Sequence, residues 1–165
     1  MAKHLILLAV GLSSAAVAPS IAQKPDDQIS PLSVEYQERG EAALTAGNLL
    51  AADDALETSL AIDPRNRSAF IDLGRVATRQ KLFGKAVRFT NKALALEPND
   101  RDALAVQGVA MVELGATPRA QQNLAKLQTL CGKACPQVSE LGAAIIRGPT
   151  PVPAKAPSTS SAKKN

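Results

Sequence analysis

Two cysteines, Cys131 and Cys135, are the residues of this 165-residue chain whose type and spacing most directly suggest chemistry. Three residues separate the two sulfurs, whereas a thioredoxin-type redox pair has two, and no histidine follows as in a haem attachment motif. In an oxidising compartment, two cysteines this close in sequence are expected to pair. We therefore expect a structural disulfide, with buried free thiols and a redox or metal-binding role as the alternatives.

Other residues that commonly catalyse reactions are scarce. The chain has a single histidine, His4, so a Ser-His-Asp triad, a zinc site or a haem site lacks its usual side chains. Two acid pairs occur, Asp26-Asp27 and Asp53-Asp54. Adjacent residues on a helix point about 100° apart, so their carboxylates do not converge as paired-acid catalysis requires. We predict that the protein is not an enzyme and needs neither a cofactor nor a metal ion.

The first 22 residues have the pattern of a secretory signal peptide. Lys3 and His4 precede an apolar run at 5–12, and the segment ends at 20–22 with small residues on either side of a larger one. The run is shorter than the roughly 20 residues that span a bilayer. We expect cleavage near Ala22, export to the periplasm or secretion, and no transmembrane span in the mature chain; the alternative is an uncleaved membrane anchor.

Both ends of the remaining chain are expected to lie outside the fold. Residues 23–30 are interpreted as a loose leader and residues 148–165 as a disordered tail, because Pro, Ser, Thr, Ala and Lys cannot bury enough apolar surface. The tail carries three lysines, Lys155, Lys163 and Lys164. A weak contact between this basic tail and an anionic cell envelope is one hypothesis, and a solvated end is the simpler one.

The basic net charge does not point to nucleic acid. The formal charge is +4, but residues 23–147 hold 15 basic and 15 acidic residues and are neutral. Aromatic residues make up only 2% of the chain, which is too few for a surface that stacks bases. We expect no nucleic-acid partner.

A period of 34 residues organises the central part of the chain. Three glycines are spaced by it, and so are three alanines twelve residues further on: Gly40, Gly74 and Gly108, then Ala52, Ala86 and Ala120. Large apolar residues stand four positions before each glycine: Tyr36, Phe70 and Leu104. Small residues at these positions allow two helices to approach closely. Pro64 and Pro98 share the period and end a helix in each unit.

Each unit is predicted to be a helical hairpin. The expected helices lie near 31–46, 49–62, 67–80, 83–96, 101–114, 117–130 and 136–146. Ser30 and Thr117 are expected to cap the helices that follow them, since each precedes a proline. The seventh helix is amphipathic and is expected to cover the apolar face of the last hairpin.

The pattern resembles the tetratricopeptide repeat (TPR) family. The second unit carries the resemblance most fully, with Phe70, Leu73, Gly74, Phe83, Ala86, Ala93 and Pro98. The resemblance implies an all-α, right-handed superhelix over residues 31–147. Its parts are three repeats at 33–66, 67–100 and 101–134 and a capping helix at 136–146. The third unit departs from the pattern, with Gly132 where proline is expected.

The resemblance also implies a concave groove lined by the first helix of each repeat. The candidate groove residues are Gln37, Glu41, Ile71, Arg75, Thr78, Arg79, Val109, Val112 and Glu113. Arg75 and Arg79 are four apart on one helix, so both are expected to meet one acidic side chain or C-terminal carboxylate. The alternative is local pairing, of Arg75 with Asp72 and of Arg79 with Glu113. The Asn-Lys carboxylate clamp of some chaperone-binding members is not reproduced.

Charge is unevenly divided between the repeats. Repeat 33–66 has seven acidic and two basic residues, and repeat 67–100 has seven basic and three acidic residues. Either neighbouring repeats attract one another, or a polarised surface orients a partner. Together these features predict an exported scaffold that binds a protein or peptide partner in its groove. The alternative is a structural accessory of a cell-envelope assembly that uses its outer surface and tail.

Overall fold

The computed structural model describes residues 29–151 and folds them into helices joined by short turns, with no strand in that span. The helices are α1 (Pro31–Thr45), α2 (Leu49–Ile62), α3 (Arg67–Arg79), α4 (Phe83–Leu96), α5 (Arg101–Glu113), α6 (Thr117–Cys131) and α7 (Pro136–Arg147). The all-α prediction is confirmed, and each helix end agrees with the sequence prediction to within one residue. The signal-peptide prediction, most of the leader and the tail beyond residue 151 lie outside the described residues.

The helix boundaries follow from the residues at their ends. Asp63 and Glu97 adopt extended conformations, with φ of −141° and −138°, and a proline follows each of them. The starts of α2, α3 and α5 are capped by Asn48, Asn66 and Asp100, whose side chains accept the backbone N–H three residues on. Consecutive helices therefore form the hairpins α1–α2, α3–α4 and α5–α6. The first two hairpins each end at the extended residue that precedes a proline.

Both expected caps, Ser30 and Thr117, are wrong. Ser30 precedes α1 but its side chain makes no capping hydrogen bond; its backbone N–H donates instead to Asp63 Oδ2 at 3.0 Å. Thr117 is already inside α6, and Ala116 occupies the capping position. In both helices a proline in the first turn has no N–H to satisfy, so a side-chain cap is less needed there.

Close approach of the helices depends on the periodic small residues. Ala52, Ala86 and Ala120 are fully buried. A Cβ added to Gly40 would lie 2.5 Å from Cγ of Leu56 in α2, and one added to Gly108 would lie 2.6 Å from both methyl groups of Leu141 in α7. Gly108 therefore packs against the capping helix α7 rather than against α6, its partner in the hairpin.

The capping helix completes the core at the C-terminal end. Val138, Leu141 and Ala144 of α7 are buried, the first two within the cluster that includes Leu104 and Leu127. A disulfide joins Cys131, the last residue of α6, to Cys135, the residue before α7, with 5.7 Å between their Cα atoms. The predicted disulfide is therefore present, and it connects the last hairpin to its cap.

Candidate functional site

The inner helices α1, α3 and α5 carry all nine candidate groove residues, but not all nine reach the surface. Val112 is fully buried in the core cluster with Leu104 and Leu127, so it offers no surface to a ligand. Ile71 is 4% exposed and only edges a polar hollow. The side chain of Glu113 is 6% exposed. The other six side chains are half-buried or exposed: Gln37, Glu41, Arg75, Thr78, Arg79 and Val109.

A chain of polar side chains crosses the inner helices from α1 to α7. Gln37 Nε2 in α1 donates to Asp72 Oδ2 at 2.7 Å, and Arg75 Nη1 pairs with Asp72 Oδ1 at 2.7 Å. Arg75 Nη2 also lies 3.6 Å from Asp102 Oδ1 in α5, which accepts from Gln137 Nε2 of α7 at 2.8 Å. This network links four helices at the start of the groove. Its members therefore stabilise the fold, whether or not they also contact a ligand.

Asp72 is the buried centre of this network. Burial raises the pKa of Asp72 above the ordinary aspartate value, while the hydrogen bonds from Gln37 and Arg75 act in the opposite direction. Its side chain is 4% exposed, whereas that of Arg75 is 39% exposed. Arg75 therefore serves chiefly as the counter-ion of a buried carboxylate.

Arg75 and Arg79 have different partners within the chain. Arg75 pairs with Asp72, which is the local pairing considered as the alternative, and it also lies near Asp102 of α5. Arg79 Nη1 donates to the backbone carbonyl of Leu44 in the preceding repeat. Arg79 forms no ion pair with Glu113 in the described residues, and Glu113 pairs instead with Arg147 at 3.4 Å.

Two adjoining hollows form the main depression of the concave face, which we call the groove hollow. One, of about 300 Å³, is lined by Arg75, Thr78, Arg79, Val106, Val109 and Glu140. The other, of about 550 Å³, is lined by Thr78, Arg79, Lys81, Phe83, Val109, Glu113, Arg147, Thr150 and Pro151. Thr78, Arg79 and Val109 belong to both, so the two are continuous. The volume is within the range of peptide- and ligand-sized sites.

The chain after α7 closes one side of the groove hollow. The backbone N–H of Thr150 donates to Glu113 Oε2 at 2.8 Å and its hydroxyl bonds Oε1 at 3.1 Å. Burial pushes the pKa of Glu113 up, but the bonds from Thr150 and Arg147 outweigh it and leave this pKa below the ordinary value. Residues 148–151, placed in the tail from sequence, are thus held against α5.

Charge changes sign along the concave face. At the α1 end an open depression of about 520 Å³ is lined by Glu38, Glu41, Ala42, Thr45 and Ala46. At the other end Arg79, Lys81 and Arg147 border the groove hollow, and only Arg147 is paired with a carboxylate among the described residues. The face is therefore acidic at one end and basic at the other.

Sequence reasoning missed several residues of the groove hollow. Lys81 and Phe83 belong to the α3–α4 turn and the first residue of α4, Glu140 and Arg147 to the capping helix, and Thr150 and Pro151 to the segment after it. These six lie outside the inner repeat helices on which the groove prediction was based, whereas Val106, which was also missed, lies on α5. Thr150 and Pro151 lie near Val109 only because the chain turns back after Arg147.

Two chemical features are missing from the described part of the chain. Residues 29–151 contain no group of three or more His, Cys, Asp or Glu side chains arranged to hold a metal ion. Across the same residues, the helices are too short or too polar to cross a membrane.

Comparison with known proteins gives structural matches only. No protein-family model matches the chain, and no curated protein matches it in sequence. Among solved structures, the TPR2B domain of yeast Sti1 in complex with an Hsp70 peptide is 17% identical, with a TM-score of 0.65, over 72% of this chain and 98% of that one.

Two further structures match at a similar level. The second TPR domain of human RPAP3, in complex with the HSP70 peptide SGPTIEEVD, is 20% identical with a TM-score of 0.62, over 68% of this chain and 94% of that one. The Sgt2 TPR domain of Aspergillus fumigatus is 18% identical with a TM-score of 0.64, over 81% of this chain and 93% of that one. With its hairpins, small-residue contacts and capping helix, the chain has the fold of a TPR domain.

Proposed function

We propose that the protein is an exported, non-enzymatic scaffold that binds a segment of a partner protein in the groove hollow. The observation that carries this proposal is the continuous depression along Thr78, Arg79 and Val109, open on the concave side of a TPR fold. Two structures of similar fold were solved with HSP70 peptides, which supports peptide binding as the function.

The lining of the groove hollow favours a ligand of mixed character. Phe83, Val109 and Pro151 offer apolar surface, which rewards burial of an aliphatic or aromatic side chain. Arg79 and Lys81 stand beside that surface and form no ion pair with a described carboxylate. A peptide that carries an apolar residue next to a carboxylate satisfies both features, and the carboxylate meets Arg79 and Lys81 rather than Arg75.

Export is proposed on the residue pattern at 1–22. The Cys131–Cys135 disulfide is consistent with it, because disulfides persist in oxidising compartments. Mass determination of the protein purified from its native compartment tests this part separately. A chain beginning at Gln23 supports export, and a chain that still begins at Met1 argues against cleavage.

Two threonines provide a matched test of the groove. Thr78 lines both parts of the groove hollow, and Thr58 lies on α2, outside the concave face. Both are half-buried, and both hydroxyls donate to the backbone carbonyl four residues earlier at 2.8 Å. Thr78→Arg and Thr58→Arg therefore make the same chemical change on opposite sides of the solenoid.

We expect Thr78→Arg to abolish partner capture in crosslinked pull-downs from the native compartment, because the longer side chain fills the groove hollow. Thr58→Arg should capture the partner as the unchanged protein does. The reverse result would favour an envelope accessory that works through its outer surface. Circular dichroism of both variants checks that the fold is retained.

A further inference from the structure

The outer helices of the three hairpins differ in charge. The helix α2 contains three acidic residues, Asp53, Asp54 and Glu57, and no basic residue. The helix α4 contains Lys85, Arg88 and Lys92 and no acidic residue, and α6 contains Arg119 and Lys126 and again no acidic residue. Two neighbouring hairpins therefore present purely basic outer helices, and the first hairpin presents a purely acidic one.

The basic residues recur at the 34-residue period although they are not core positions. Lys92 corresponds to Lys126, and one helical turn further on Leu96 corresponds to Leu130. The same register in the first repeat holds Thr58 and Ile62. The apolar residue therefore recurs in all three units, and the lysine recurs in two of them. Because both lysines are exposed, packing of the core does not explain why this residue is repeated.

Cations and leucines share the solvent side of these helices. The buried residues of α4 are Ala86, Thr90 and Ala93, and those of α6 are Ala120 and Leu127. Lys92 and Leu96, and likewise Lys126 and Leu130, are four apart and so neighbour each other on the helix surface. Leu96 is 42% exposed and Leu130 is 39% exposed.

Most of these cations are not neutralised within the described residues. Lys85 lies 3.4 Å from Asp53, which joins the first two hairpins. Lys126 Nζ donates to the backbone carbonyl of Pro98 at 2.6 Å and forms no ion pair with a described carboxylate. Within residues 29–151, Arg88, Lys92 and Arg119 are exposed and have no carboxylate at ion-pair distance.

We propose that the outer surface of α4 and α6 docks on an anionic lipid surface. We call this surface the basic face: Arg88, Lys92, Leu96, Arg119, Lys126 and Leu130. Its charges are spread over two helices rather than converging on one point, which suits a sheet of headgroups better than a single anion. The leucines beside the lysines can enter the headgroup boundary, as apolar residues of interfacial helices do.

The same features disfavour nucleic acid as the occupant. None of the six residues of the basic face is an aromatic residue that could stack on a base, and exposed leucines add nothing to binding of phosphates. The acidic α2 is repelled by an anionic surface, so the protein would lie with α4 and α6 against the lipid and α2 tilted away from it. The concave side then faces away from the lipid, which leaves the groove hollow free.

Vesicle co-sedimentation of the full chain tests this inference. We expect binding to vesicles of phosphatidylcholine and phosphatidylglycerol, no binding to phosphatidylcholine alone, and loss of binding as salt rises. The variant Lys92→Gln/Lys126→Gln should bind the anionic vesicles at least about tenfold more weakly, since each cation near an anionic surface contributes on the order of 1 kcal/mol.

A charge-matched variant separates the basic face from the tail. Lys163→Gln/Lys164→Gln removes the same two charges and should retain most of the binding. If this tail variant loses binding while Lys92→Gln/Lys126→Gln keeps it, the basic face is not the contact and the inference is overturned. Failure to bind anionic vesicles at low salt overturns it as well.

The exposed leucines distinguish lipid from other polyanions. Leu96→Ser/Leu130→Ser leaves every charge in place and should reduce vesicle binding by about threefold or more, with unchanged circular dichroism. If it binds the vesicles unchanged and the protein binds heparin or duplex RNA equally well, the basic face is a general polyanion surface and the lipid assignment is wrong. Partner capture through the groove hollow is measured separately by Thr78→Arg, so either proposal can fail alone.

Discussion

At the scale of the single residue, the turns inside the three hairpins show how one side chain departs from its repeat. Gly47 and Gly115 adopt left-handed conformations with φ of 79° and 75°. The equivalent residue of the second hairpin is Lys81, which has φ of 61° and is the one non-glycine residue with positive φ between residues 29 and 151. Its Cβ makes this conformation unfavourable by roughly 1 kcal/mol.

We predict that Lys81→Gly stabilises the fold by about 0.5–1 kcal/mol, because glycine adopts this conformation without strain. The urea midpoint measures the change. Lys81→Ala removes the same charge but keeps the Cβ, so it should give no comparable gain. Equal midpoints for the two variants would show that the charge, not the backbone, is responsible.

Asp63 is a second residue whose contacts give a measurable effect. Hydrogen bonds from the Arg65 side chain, and then from the Ser30 and Arg65 backbones, outweigh the effect of burial and lower the pKa of Asp63 from 3.8 to about 2. Because the folded-state pKa is the lower one, the stabilisation is fully present above about pH 4 and is lost as the pH falls towards about 2.

Replacement of Asp63 by Asn should therefore lower stability at pH 7 by about 1–2 kcal/mol and flatten the stability profile between about pH 4 and pH 2. Thermal unfolding at a series of pH values measures both effects. Asp54→Asn, on the exposed side of α2, is the control and should change neither. A profile for Asp63→Asn that keeps the full slope would contradict the assignment.

At the scale of the element, the capping helix depends on two features that the 34-residue period does not describe. Gly108 accepts the buried Leu141 of α7, and the disulfide holds the start of α7 to the end of α6. The period identified Gly108 as a small-residue position, but its neighbour lies beyond the third repeat.

Gly108→Ala is predicted to destabilise the protein by about 1–3 kcal/mol, because the added Cβ overlaps both methyl groups of the fully buried Leu141 side chain. Gly84 provides the contrast. It lies in α4 with nothing within 4 Å of an added Cβ, so Gly84→Ala should stabilise by up to about 1 kcal/mol through helix propensity. Changes of the same sign in the melting temperature would refute the packing argument.

Reduction of the Cys131–Cys135 disulfide is predicted to lower stability by about 2 kcal/mol through the entropy of the short loop. The effect should be local. Backbone amides of α7 should exchange with solvent faster in the reduced protein, while those of α1 and α2 keep their protection. Intact mass with and without reductant confirms the redox state. Uniformly faster exchange in every helix would show that the disulfide does not act through the cap.

At the scale of the whole molecule, the fold was predictable because the period, the Asp-Pro and Glu-Pro stops and the small-residue positions are local signals that recur. The groove was predictable in outline, since α1, α3 and α5 carry all nine candidates and six of their side chains are half-buried or exposed. The contacts of the groove side chains were less predictable. The contacts of Gln37 with Asp72 and of Arg75 with Asp102 depend on the spacing of separate helices, and residues 148–151 reach the groove only because the chain turns back after α7.

The central claim is that a partner segment occupies the groove hollow. A photo-crosslinking amino acid placed at position 78 reports contact on that face, and one at position 58 reports contact on the outside of α2. After irradiation in the native compartment, we predict a crosslinked partner from position 78 and none from position 58. A crosslinked partner from position 58, with none from position 78, would contradict the account.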